Sequence, residues 1–148
     1  MTVTADTPVL GRTISDAGVY AKLAGTPLES WASTFIRLSN QYGIDPNWIV
    51  SYMQWETGFG GTIGDLHPSM LFNDPWDMLW GVPGGACGQP GPGAIECRRA
   101  PNDYCYYVYP TMEVGIEAGY KNWQSYVQRG WTTYFSTLSV ALCGNPSG

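Results

Sequence analysis

Residues 26–61, "TPLESWASTFIRLSNQYGIDPNWIVSYMQWETGFGG", are punctuated so tightly that they favour one local solution, two helices joined by a short turn. The first is predicted over about 27–42, with Thr26 as cap, Pro27 at the first position and Glu29 in the first turn. Trp31, Phe35 and Leu38 form its apolar stripe, and Gly43 ends it. Asp45 and Pro46 then start a second helix at once, whose face carries Trp48, Ile49, Tyr52, Met53 and Glu56 until Gly58, Gly60 and Gly61 stop it. The pattern reads as an αα-hairpin.

Glu56 is the anomaly in this segment. It extends an apolar stripe at the C-terminal end of its helix, where apolar neighbours and the negative end of the helix dipole both disfavour an anion. A carboxyl group that holds its proton is what general acid catalysis requires. The glycines that follow would leave its approach open to a chain-like substrate. The competing reading is an exposed Glu at a frayed helix end.

Around this hairpin the pattern is less regular. Residues 1–26 read as an irregular N-terminal segment. The stretch 60–110 gathers most of the Gly and Pro clusters and reads as a looped lobe, with "YCYYVYP" its best strand. Helical spacing returns in "TMEVGIEAGYKNWQSYVQRG", capped by Thr111, and "TTYFSTLSVALCG" reads as a short last helix. The expected fold class is α+β, mainly α, as a single domain over 1–148.

Charged residues make up 13% of the chain and aromatic ones 14%, with a formal net charge of −5, which disfavours nucleic acid and anionic membrane as partners. No segment has the length and apolarity of a membrane span. Aromatic residues with few cations suit a neutral, hydroxyl-rich ligand, and sugar is the obvious class. No cofactor is implied. Zinc is disfavoured because His67 is alone and no close Cys-x-x-Cys pair exists. Cys87, Cys97, Cys105 and Cys143 read instead as two disulfides, in an oxidising or extracellular setting. Of three possible pairings, Cys87–Cys97 with Cys105–Cys143 is favoured, the first stapling "CGQPGPGAIEC", each contributing roughly 3–4 kcal/mol. The opening "MTVTADTPVLGRTISDAG" lacks the basic start and apolar stretch of a secretion signal. Export after signal removal, lysis or carriage in a virion are the expected routes, and a monomer is the expected state.

Three segments in order, "WETGFGGT", "NDPWDM" and "YYVYPTMEVGIEAGYKNW", resemble the lysozyme-like peptidoglycan hydrolases. The resemblance covers about residues 28–135 and is nearest the bacterial glucosaminidase type, more distantly goose-type lysozymes and lytic transglycosylases. It implies a lysozyme-like helical domain with an irregular lobe beside a substrate cleft, and the cysteine reading above adds the disulfides that staple that lobe. It implies Glu56 as the catalytic acid, Thr57 as the hydroxyl residue after it, and Asn73, Pro75 and Trp76 in the cleft segment. Tyr106, Tyr109, Pro110 and Thr111 match the later one. Asp74 departs from the family's second Asn, and the cysteine-bearing insertion at 84–105 is unusual.

Asp65, Asp74, Asp77 and Glu113 are the candidates for a second carboxylate. Asp65 is favoured because it follows Glu56 through flexible "TGFGGTIG"; Asp74 and Asp77 have caps as their ordinary reading. An inverting pair would stand about 6.5–9.5 Å apart and a retaining pair about 5–5.5 Å. Trp76 and Tyr109 are the expected sugar-stacking faces. A Ser-His-Asp hydrolase would rest on His67 alone, without a nucleophile elbow. The expected activity is hydrolysis of β-1,4 bonds in peptidoglycan, as glucosaminidase or muramidase, with chitin-like polymers less favoured. The alternatives are a lytic transglycosylase or chitinase-like enzyme on the same fold, and a non-catalytic glycan-binding or virion structural domain.

Overall fold

Asp45 organises the helical half of the molecule in a computed structural model that describes residues 3–80, 84–134 and 136–137. Its side chain accepts from the Asn47 amide at 2.9 Å and so caps a helix running Pro46–Thr57. The same fully buried carboxylate accepts from the Thr13 hydroxyl at 2.6 Å and the Tyr134 hydroxyl at 2.9 Å. Segments from both ends of the described chain are thereby fastened to the start of one helix.

Numbered in chain order, the helices are α1 (Asp16–Leu23), α2 (Ala32–Tyr42), α3 (Pro46–Thr57) and α4 (Met112–Gln128). The α2–α3 hairpin forms as the sequence predicts, but α2 starts later. Thr26 accepts from the Leu28 amide, the Glu29 carboxylate accepts from the Gly25 amide, and Glu29–Trp31 is a separate 3₁₀ turn. Those bonds hold the entry as tight i to i+3 turns instead of the first turn of an α-helix. At the far end of α3, Gly58 takes φ 58° and its amide bonds back to Gln54 and Met53. A left-handed stop of this kind favours glycine.

Residues 1–26 are not irregular throughout. Ser15 accepts from the Gly18 amide at 3.1 Å and starts α1, which buries Val19 and Leu23. Two anchors on eight residues are too few for a visible period, so this helix rests on its cap and its packing. Helix α4 begins at Thr111 as predicted, with Met112, Ile116, Tyr120 and Trp123 buried along one stripe. It packs on α2, where the Tyr120 hydroxyl donates to the Phe35 carbonyl at 2.8 Å and lies 2.7 Å from Ser39 Oγ.

The central lobe carries two small antiparallel sheets. β1 (Gly61–Thr62) pairs with β2 (Asp65–Leu66), and β5 (Cys105–Val108) lies between β3 (Leu79–Trp80) and β4 (Glu96–Arg99). The predicted strand around "CYYV" is thus the middle one. Its own small core joins Phe72, Ala100, Tyr106 and Val108. The fold is α+β, with helix the larger share.

The disulfide pairing differs from the expectation. Cys87 is bonded to Cys105, Cα–Cα 5.4 Å, so neither Cys87–Cys97 nor Cys105–Cys143 forms. In the three-stranded sheet Cys97 lies opposite Tyr107 and Cys105 lies opposite Trp80 and Arg99, so Cys97 and Cys105 are not cross-strand partners. The bridge closes a separation of 18 residues, worth about 3 kcal/mol by loop-closure entropy. Cys97 has no disulfide partner among the described residues, and Cys143 lies outside them.

Candidate functional site

The last turn of α3, the turn Asp74–Met78 and one face of α4 enclose a cavity of about 730 Å³. That volume fits a ligand-sized cleft. Tyr52, Glu56, Trp76, Asp77, Tyr109 and Trp123 line its inner part. Glu56 reaches it from the next-to-last position of α3, one turn after Tyr52, as the spacing predicts. Tyr52 is wedged between aromatic rings, 4.6 Å from Trp123 and 6.4 Å from Trp76 between centroids. Its hydroxyl is pushed well above the usual tyrosine range, by burial first and then by the neighbouring Glu56 carboxylate.

The four carboxylate candidates fall in different places. Asp65 sits exposed on β2 opposite Thr62, in a two-residue hairpin turn, and does not line the cavity. The flexible stretch expected to carry it across the cleft is folded back on itself. Glu113 is exposed and paired with Arg37. Asp74 is fully buried and accepts from the Trp76 amide at 3.2 Å and the Met78 amide at 2.7 Å. Burial pushes its pKa well up, and those two amides partly offset the rise. Asp74 therefore builds the turn.

Asp77 is the carboxylate that shares the cavity with Glu56. Its Oδ1 is shielded from solvent and has no hydrogen-bond partner among the described residues. Burial raises its pKa, His67 works against the rise, Glu56 adds to it, and the Tyr106 hydroxyl opposes it. The Asp77 backbone is in the left-handed region at φ 57°, as is that of Asn73 at 58° four residues earlier, a conformation that Asp and Asn tolerate. The indole N–H of Trp123 is likewise buried without a partner among the described residues. Both atoms belong to residues that line the cavity, and neither is itself open to solvent.

The other predicted site residues serve as scaffold. The Thr57 hydroxyl is buried, lies 3.3 Å from the carbonyls of Met53 and Pro75, and accepts from the Gly60 amide. It ties the end of α3 to the turn carrying Asp77. Asn73 does not line the cavity; its Nδ2 donates to the Tyr109 carbonyl at 3.0 Å. Trp76 is only 4% exposed, with its N–H shared between the carbonyls of Gly115 and Ile116. A Cβ on Gly119 would fall 1.9 Å from the Trp76 ring, so glycine is required there. Tyr109 is 2% exposed, and its hydroxyl donates to Met78 Sδ at 3.0 Å. Both residues line the cavity, but so little of either is exposed that neither offers an open stacking face.

Tyr107 and Tyr126 are less buried and line the same cavity, so the available faces are theirs. The signal for Tyr126 was present: it follows Trp123 by one turn on α4. His67 Nδ1 lies 2.8 Å from Ser69 Oγ, but Ser69 is fully buried and the contact is part of the cap of a 3₁₀ turn. It is not an accessible nucleophile. Among the described residues no group of His, Cys, Asp or Glu is placed to hold a metal ion, and no helix is long and apolar enough to cross a membrane.

Comparison with protein-family models, with curated proteins and with solved structures finds no match.

Proposed function

We propose that this chain is a glycoside hydrolase of lysozyme-like architecture that cleaves β-1,4 bonds of peptidoglycan, with Glu56 as general acid. The observation that carries the reading is the meeting of Glu56 and Asp77 in one aromatic-walled cavity. In the reaction Glu56 gives its proton to the glycosidic oxygen as the bond to the anomeric carbon breaks. An ionised Asp77 stabilises the positive charge growing on the ring and takes a proton from the water that adds there. Asp77 replaces Asp65 in this role.

One observation favours a second reading on the same glycan. Asp77 Oδ1 is shielded from solvent, which works against its taking a proton from an attacking water. Glu56 would then act alone, first as acid and then as base toward a hydroxyl of the substrate, as in a lytic transglycosylase. The setting proposed for either enzyme is outside the cell or in a virion, where the Cys87–Cys105 bridge would persist.

Mass spectrometry of a peptidoglycan digest separates the readings. Reducing GlcNAc or MurNAc ends mark hydrolysis, and anhydro-MurNAc ends mark transglycosylation. A cell-wall suspension that binds the protein yet releases no new ends would leave a glycan-binding domain instead.

A further inference from the structure

The chain has only seven Lys and Arg residues against twelve Asp and Glu, and most of the cations are already engaged. Arg12, Arg37, Arg98 and Arg99 pair with Asp16, Glu113, Glu96 and Asp103. Lys22 donates to Asn47 at 3.1 Å. Lys121 and Arg129 have no carboxylate partner among the described residues, and both line the cavity that holds Glu56 and Asp77. Lys121 and Ser125 share a helix face four residues apart, and Arg129 follows after four more as the cap of α4. The row is about 12 Å long at the helical rise. Ser125 lines the cavity as well.

Arg129 is held in place. Its guanidinium lies 5.7 Å from the centroid of Trp131, whose ring meets Tyr126 edge-on at 5.7 Å. A stacked guanidinium keeps its donor edge free and oriented, which suits planar, bidentate recognition of a carboxylate. The cavity thus has an acidic wall and a basic wall. A neutral polymer such as chitin has no use for the second.

We propose that Lys121 and Arg129 form a subsite for a carboxylate borne by the glycan, so that the cavity selects an acidic sugar polymer over a neutral one. This rests on the glycosidase reading above for the identity of the polymer as a glycan. Two sources offer the same chemistry: the lactyl carboxylate of a peptide-free muramyl residue, and the carboxylates of a stem peptide.

Calorimetry on Glu56→Gln protein, which would bind without turnover, tests the subsite with three probes. These are chitotetraose, a peptide-free GlcNAc-MurNAc tetrasaccharide, and the same tetrasaccharide carrying stem peptides. At least one acidic probe should bind more tightly than chitotetraose. The advantage should be about fivefold per engaged cation, the upper worth of an exposed charge pair, and should shrink in high salt. Adding Lys121→Gln and Arg129→Gln should bring the acidic probe down to the level of chitotetraose. Whichever acidic probe shows the preference names the source. Equal binding of all three probes, or a preference that survives both substitutions, overturns the subsite. It would leave Arg129 as a cation at a helix C-terminus and Lys121 as a solvated surface charge. The two proposals fail separately. Preferential binding with no glycan ends released by Glu56-intact protein keeps the subsite and rejects the hydrolase. Hydrolysis of neutral and acidic polymers alike keeps the hydrolase and rejects the subsite.

Discussion

Asp77→Asn should make the protein more stable and less active at once. Asn keeps the shape of Asp and tolerates the left-handed backbone at φ 57°, so the turn survives. What is lost is the charge on a carboxylate whose Oδ1 has no partner among the described residues. Burial disfavours that charge, and because Asp77 is only partly buried the relief on removing it is expected to be about 1 kcal/mol. For a chain of this length that is a rise of about 3–5 °C in Tm at neutral pH. The sign with pH is fixed. The folded-state pKa lies above the ordinary 3.8, so between the two values the folded chain holds a proton that the unfolded chain has released. The Asp77 contribution to wild-type stability therefore falls through that window as pH rises, and the Asn variant lacks that contribution. The gap between them should be full above the raised value and absent below about 3.8. Thermal unfolding followed by circular dichroism between pH 3 and 8 reads it, and glycan-end release reads activity in parallel. A variant less stable than wild type at pH 7 would refute the reasoning, since the pull of His67 and Tyr106 on the ionised Asp77 would then outweigh its burial.

Gly119→Ala should destabilise by about 1–3 kcal/mol, because overpacking against the buried Trp76 ring outweighs the roughly 1 kcal/mol that Ala gains in a helix; chemical denaturation measures it. Cys87→Ser should cost about 3 kcal/mol, and non-reducing peptide mapping should recover the Cys87–Cys105 bridge. Asp65→Asn should leave the rate of glycan cleavage within a few-fold of wild type, because its side chain is exposed on the hairpin away from the cavity. A loss as large as that from Asp77→Asn would restore Asp65 as the second carboxylate.

The helices with strong local punctuation were legible in the sequence: Asp45-Pro46 and Gly58 bound α3, and Thr111 opens α4 where its apolar stripe begins. Glu56 was legible for the same reason, since a helical period places it on the side facing Tyr52 and the core. What was not legible depends on long-range contacts. The eight residues of α1 carry too few anchors to show a period. The cysteine pairing brings the loop segment around Cys87 onto β5, a contact that loop length cannot reveal. Asp65 and Asp77 are both short acidic side chains in turn-rich segments. Only the fold of the lobe decides which one turns toward Glu56. Trp76 and Tyr109 were placed in the right segments, but how deeply each ring is buried is set by α4, through Gly115 and Gly119, far along the chain.

The most direct test of the account is the rate at which Glu56→Gln protein releases new saccharide ends from purified peptidoglycan, measured beside wild type at equal Tm. The amide keeps the volume of the side chain and removes its proton. Loss of general acid catalysis predicts a rate lower by about 10²–10⁴-fold, with binding of the polymer retained. A Glu56→Gln rate within a few-fold of wild type would contradict the account, because the cleavage would then be the work of another group.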